Sequence, residues 1–119
     1  MADRLTLGKT ERIRASRLFH ELYEEGRRQP GRYVILFSRA NPTGPRQLGV
    51  VTSRRVGNAV TRNRARRLLR EAYRHHKHQL PDHLQLIMIA RPTIAGKGLA
   101  DVTGDLLRTW QAAGLLAAT

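Results

Sequence analysis

The sequence predicts a single α+β domain, a small α/β sandwich in which helices pack against one small sheet in the order α-β-β-α-β-α, with or without a further short strand. Three observations predict it. The chain has 119 residues, length enough for one core and no second one, so residues 1–119 are read as one domain. Helix-period segments and short β-rich runs alternate over too few residues for a doubly wound sheet. Finally, Leu84–Ala90 carries one polar side chain, Gln85, as a central strand buried on both faces does.

The elements follow in order. The first ten residues mix polar and basic types and are expected to be extended. Ser16 can cap a helix of about Ala15 to Glu25, where Leu18, Phe19, Leu22 and Tyr23 recur at helical spacing. Gly26 stands where a C-terminal glycine stops a helix. Arg27 to Arg32 contains Pro30 and Gly31 and reads as a turn. Tyr33 to Phe37 is a β-rich run, Asn41–Pro45 a loop, and Leu48 to Arg54 a second strand that Gly49 weakens slightly. The short loop between them predicts a hairpin. Gly57-Asn58 breaks the strand. From Val60 to His76 the pattern is helical, with Ala65, Leu68, Leu69, Ala72 and Tyr73 on one face. Pro81 ends that segment. After the strand Leu84–Ala90, Arg91-Pro92 and Gly96-Lys97-Gly98 form a loop. Asp101 is expected to cap a last helix carrying Val102, Leu106, Leu107, Trp110 and Ala113.

Charge narrows the function. There are 22 Lys+Arg against 9 Asp+Glu, a net +13, and a compact chain so charged attracts polyanions. All but Lys9, Lys77 and Lys97 of these cations are arginine, whose planar fork binds phosphate in fixed geometry. No apolar run approaches ~18 residues, and Met1-Ala2-Asp3-Arg4 begins no signal peptide. No membrane role and a cytoplasmic location are therefore expected. No cysteine is present, which removes disulfides, thiolate metal sites and cysteine nucleophiles.

The helix of residues 62–74 carries the argument. At ~100° per residue, Arg62, Arg66, Arg70 and Arg74 form one stripe, with Asn63 and Arg67 beside it and the apolar residues opposite. Like charges at this spacing each cost a few tenths of a kcal/mol, and Glu71 alone offers local relief. A polyanion would remove the repulsion. Four residues rise about 6 Å, a pitch suited to successive phosphates. Ordinary solvated helix faces mix both signs of charge, which this one does not. A membrane-surface helix would need a wider and less Ala-rich apolar face. Just upstream, Ser53-Arg-Arg-Val-Gly-Asn58 brings Arg54 and Arg55 to a strand end beside a helix start, where free N–H groups favour anions. The same segment also reads as an ordinary strand-to-helix turn, in which Gly57 allows a left-handed or close-approach backbone.

Gly57-Asn-Ala-Val60, Arg62-Asn-Arg64, Arg66-Arg67-Leu68 and Arg70-Glu71 resemble the signature of the bacterial ribonuclease P protein family. The resemblance extends outward to the aromatic helix ending in glycine, the paired strands, and the apolar strand with Ala90-Arg91. It implies a protein subunit that performs no chemistry itself and has no catalytic residue. Its partners would be the catalytic RNA and precursor tRNA, with no obligate protein partner. The RNA subunit would hold the catalytic magnesium ions, none being bound by protein alone, and would remove the 5′ leader endonucleolytically. Carried over by position, Arg62, Asn63, Arg64, Arg66, Arg67 and Arg70 would contact the catalytic RNA. Phe19, Tyr23 and Phe37, with Arg54 and Arg55 nearby, would form the leader cleft. The family often has Phe at Tyr23 and Lys at Arg54, Arg55 and Arg66; aromaticity and charge survive both changes. The resemblance also implies a left-handed strand-helix-strand crossover around the basic helix, as in a ribosomal-protein-like fold. The general preference for right-handed crossovers predicts the opposite.

On the residues alone, Leu18, Phe19, Leu22 and Tyr23 either fill the core together or divide, one stripe packing inward and one stacking on unpaired bases. Other functions find less support. The acids are scattered, unlike the clustered carboxylates of a metal-dependent nuclease. His75 and His78 are three residues apart, but no third ligand follows at recognisable spacing, so no metal is expected. Trp110 reads as core. A ribosomal or other structured-RNA protein is the nearest alternative. A DNA-binding module lacks a helix-turn-helix partner before its basic helix.

Overall fold

The computed structural model describes Ile13 and residues 16–116. Helix α1 (Ser16–Glu25) is followed by strands β1 (Arg27–Pro30), β2 (Val34–Ala40) and β3 (Gln47–Val51). Helix α2 (Ala59–His76), strand β4 (Leu84–Ala90) and helix α3 (Leu99–Ala112) complete the chain. The segment expected to be extended, residues 1–10, and Ala15 at the expected helix start lie outside the described residues.

The strands form one sheet in the order β1-β2-β4-β3. β4 is central as its composition requires, and all but Ile89 of its residues are buried. Burying each of its larger side chains contributes roughly 2 kcal/mol. This strand also corrects the expected hairpin. β2 pairs antiparallel with β4, and β3 lies parallel to β4 on its other side. The most apolar strand takes an inner place, where both its edges and both its faces are covered. The parallel β3–α2–β4 unit contains the basic helix.

Three boundaries also differ from expectation. Arg27–Pro30, read as a turn, is an edge strand antiparallel to β2. Pro30 ends it, at an edge position that tolerates a missing N–H, and the turn contracts to residues 31–33. β3 stops at Val51 instead of Arg54, and Arg54–Val56 make one turn of 3-10 helix, with the Ser53 hydroxyl accepting from the Arg55 N–H. Gly98, not Asp101, caps α3; Asp101 sits a turn in and accepts from the Gly98 N–H at 3.2 Å.

The sheet separates two apolar layers. On one face Val34, Leu36, Leu86 and Met88 meet Leu69 and Tyr73 of α2 and Leu106 and Trp110 of α3. The Tyr73 and Trp110 rings meet edge to face, their centroids 6.2 Å apart, so Trp110 is core. On the other face α1 covers part of the sheet through Leu22 and Ile87, with Phe19, Phe37, Val51 and Ile89 packed around them. A buried carboxylate fixes the turn between β1 and β2. Asp105 of α3, 3% exposed, accepts the N–H groups of Arg32 and Tyr33, each at 2.8 Å.

Candidate nucleic-acid interface

α2 begins where the sequence turns sharply. Gly57 has φ 145°, a backbone conformation open chiefly to glycine. Asn58 caps the helix, its side-chain oxygen accepting from the Thr61 N–H at 2.9 Å. That cap occupies one of the N–H groups an anion would use, which narrows the expected helix-end anion site.

The core residues of α2, Ala65, Leu69, Ala72 and Tyr73, hold one face against the sheet and turn the arginines outward. Several are fixed in place. Arg62 Nη1 donates to the Gly57 carbonyl at 2.9 Å, and Arg64 Nη1 to the Lys97 carbonyl at 2.7 Å. Arg66 bridges Thr52 Oγ1, at 2.6 Å, and Asn63 Oδ1, tying the helix to the end of β3. Asn63, Arg64, Arg67 and Arg70 are exposed, while Arg62 and Arg66 are half-buried. At the foot of the helix Arg74 and His75 share Glu71. The hydrogen bond from Arg74, then that from His75, holds the Glu71 carboxyl below its ordinary value. Arg74 is thus engaged locally, and the outward face is concentrated in the first three turns. Arg54 and Arg55 are exposed on the 3-10 turn just past Thr52.

A second feature opens on the sheet face beside α1. The Tyr23 ring lies 5.1 Å from that of Phe37, edge on, and 6.4 Å from that of Phe19. Tyr23 is 39% exposed, and Phe19 and Phe37 are half-buried. The four residues of the aromatic helix therefore do not fill the core together: Leu22 is core, while Tyr23 borders solvent. Desolvation of the Tyr23 phenol pushes its pKa above the ordinary value, so it stays neutral at physiological pH. Phe19 packs into space left by Gly49, where an added Cβ would lie 2.7 Å from Phe19 Cζ. Beyond α1 the floor continues as Val51, Ile89 and Ile35 on neighbouring strands, all half-buried.

Two features of this groove escape sequence reasoning. The floor residues come from three strands whose pairing no local pattern announces. The back of α1 is braced by Arg39, which donates to Glu25 at 2.8 Å, to Glu21 at 3.0 Å and to Gln85 at 2.8 Å. Gln85 continues the row to Gln47 at 2.7 Å. α1 thus turns its carboxylates toward Arg39 and its aromatics toward the groove. Glu21 and Glu25 at i,i+4 are the one visible signal of such a pairing, but nothing in the sequence names Arg39 as their partner.

Among the described residues no group of three or more His, Asp or Glu side chains is placed to hold a metal ion. No helix among them is long and apolar enough to cross a membrane.

The family model for ribonuclease P matches residues 7–114. The ribonuclease P protein component of Desulfovibrio desulfuricans is 40% identical over 109 residues, covering 87% of this chain and 83% of that one. That of Syntrophomonas wolfei is 32% identical over 111 residues, 93% of each chain. The RNase P protein of Staphylococcus aureus has a similar structure, with a TM-score of 0.82 at 25% identity over 92% of this chain and 100% of that one. Matched along nearly its whole length in sequence and in fold, with the arginine helix standing beside the aromatic groove, the chain belongs to the ribonuclease P protein family.

Proposed function

We propose that this chain assists ribonuclease P in removing the 5′ leader of precursor tRNA, by binding the catalytic RNA with α2 and the leader in the groove beside α1. The carrying observation is the junction of the two surfaces. Arg66 bonds to Thr52 at the end of the strand whose Val51 begins the groove floor, so an RNA gripped by the helix lies beside the groove. On the helix, Arg62, Asn63, Arg64, Arg66, Arg67 and Arg70 offer guanidinium and amide donors to backbone phosphates. In the groove, Phe19, Tyr23 and Phe37 offer aromatic surface to unpaired bases, and stacking tolerates any base, which suits a leader of variable sequence. Arg54 and Arg55 sit between the two surfaces as phosphate partners.

The protein's part is binding and placement. Among the described residues no acids cluster as a metal-assisted cleavage requires, and the magnesium ions that activate the attacking water would be held by the RNA subunit. The site of action is the cytoplasm, where precursor tRNA is processed.

Reconstitution tests this reading. Mixed with its cognate catalytic RNA at low salt, where phosphate contacts are strongest, the purified protein should restore cleavage of precursor tRNA. It should cleave nothing alone with magnesium. No restoration, or cleavage by the protein alone, overturns the proposal.

A further inference from the structure

The groove does not end at the aromatic pair. Residues directly opposite each other in an antiparallel pair project from the same face. β1 sets Arg28 opposite Phe37 and Pro30 opposite Ile35, so Arg28 shares the groove face with Phe37. Its neighbour Arg27 alternates to the other face, where its guanidinium donates to the Ala112 carbonyl of α3 at 3.2 Å. Arg28 is exposed, and among the described residues no hydrogen bond or ion pair engages it. Of the three acids on α1, Glu21 and Glu25 are drawn to Arg39, and among the described residues no ion pair joins Glu24 to Arg28.

The groove therefore has a cation at each end. At the β3 side stand Arg54 and Arg55, just after Val51. Ile89 of β4 and Ile35 of β2 form the floor between, which meets β1 at Pro30, and Arg28 stands two residues along that edge strand, beside Phe37. Four strands crossed at ~4.8 Å spacing make about 14 Å, a span that only a leader of several nucleotides can cross.

We infer that Arg28 is the outer phosphate contact of the leader groove, engaging a leader only once it is long enough to cross the whole sheet. This rests on the leader-binding reading above and adds to it a length limit. A leader shorter than the crossing ends before β1 and leaves Arg28 in solvent. A longer one places a phosphate within reach of the guanidinium, and nucleotides further out gain nothing more from the protein.

The test uses the reconstituted holoenzyme and precursor tRNAs whose leaders lengthen one nucleotide at a time. With the unaltered protein, affinity should rise with leader length and then level off. Arg28→Ala should match it on the shortest leaders and lose affinity several-fold on leaders beyond the crossing. On those long leaders its salt slope should fall by about one, as for one lost phosphate contact. Arg28→Lys should recover part of the loss, and Arg27→Ala, altered on the opposite face, should keep the unaltered length dependence. Equal behaviour of Arg28→Ala and the unaltered protein at every length overturns the role of Arg28 while leaving leader binding intact. An unaltered protein indifferent to leader length overturns leader binding itself, and Arg28 with it.

Discussion

Phe19 does two jobs with one ring. Its edge packs over Gly49, which lacks the Cβ that would collide with it, and it stands 6.4 Å from Tyr23 at the mouth of the groove. Removing the ring should therefore act on both stability and binding, and the two separate by comparison. Phe19→Ala should weaken precursor tRNA carrying a leader more than mature tRNA, measured by equilibrium binding to the holoenzyme. Equal losses on both RNAs would assign Phe19 to the core alone. Arg66 is similarly divided. Its bonds to Thr52 and Asn63 position it, so its guanidinium is presented with less freedom to lose on binding than that of Arg67.

At the scale of elements, Asp105 joins α3 to the turn between β1 and β2. A buried carboxylate accepting two backbone N–H groups stabilises by charge-assisted bonds, and deleting it strands both donors. Asp105→Ala should cost about 3 kcal/mol, read as a lowered denaturation midpoint with unchanged denaturant slope. A loss under a few tenths of a kcal/mol would show that the turn holds itself. Legibility in the sequence divides along the same line. Where an element depends on its own residues, the sequence suffices. The apolar run of β4 announces a buried central strand, and the arginines of α2 announce a face that cannot be core. Where it depends on distant partners, the sequence is silent. Arg27–Pro30 looks like a turn because its strand character comes from β2, and the expected hairpin fails because β4, more than thirty residues away, competes for the same edge. The groove was half legible: its aromatics show in the helix, its floor and Arg28 only once the strand order is known. The arginine helix was the most legible part of the interface, since α-helical periodicity alone gathers those residues on one face.

Across the whole molecule, the net charge of +13 opposes compaction, and the two apolar layers on either side of β4 offset it. A polyanion on α2 removes part of that repulsion, so RNA should stabilise the fold as well as bind it. Guanidinium groups of α2 meeting phosphates carry the proposed binding. The most direct measurement is the salt dependence of affinity for the cognate catalytic RNA, compared between the unaltered protein and the Arg66→Ala/Arg70→Ala variant. Weaker binding is expected, with a log-log slope shallower by about two, one for each lost phosphate contact. An unchanged slope in the folded variant would contradict it.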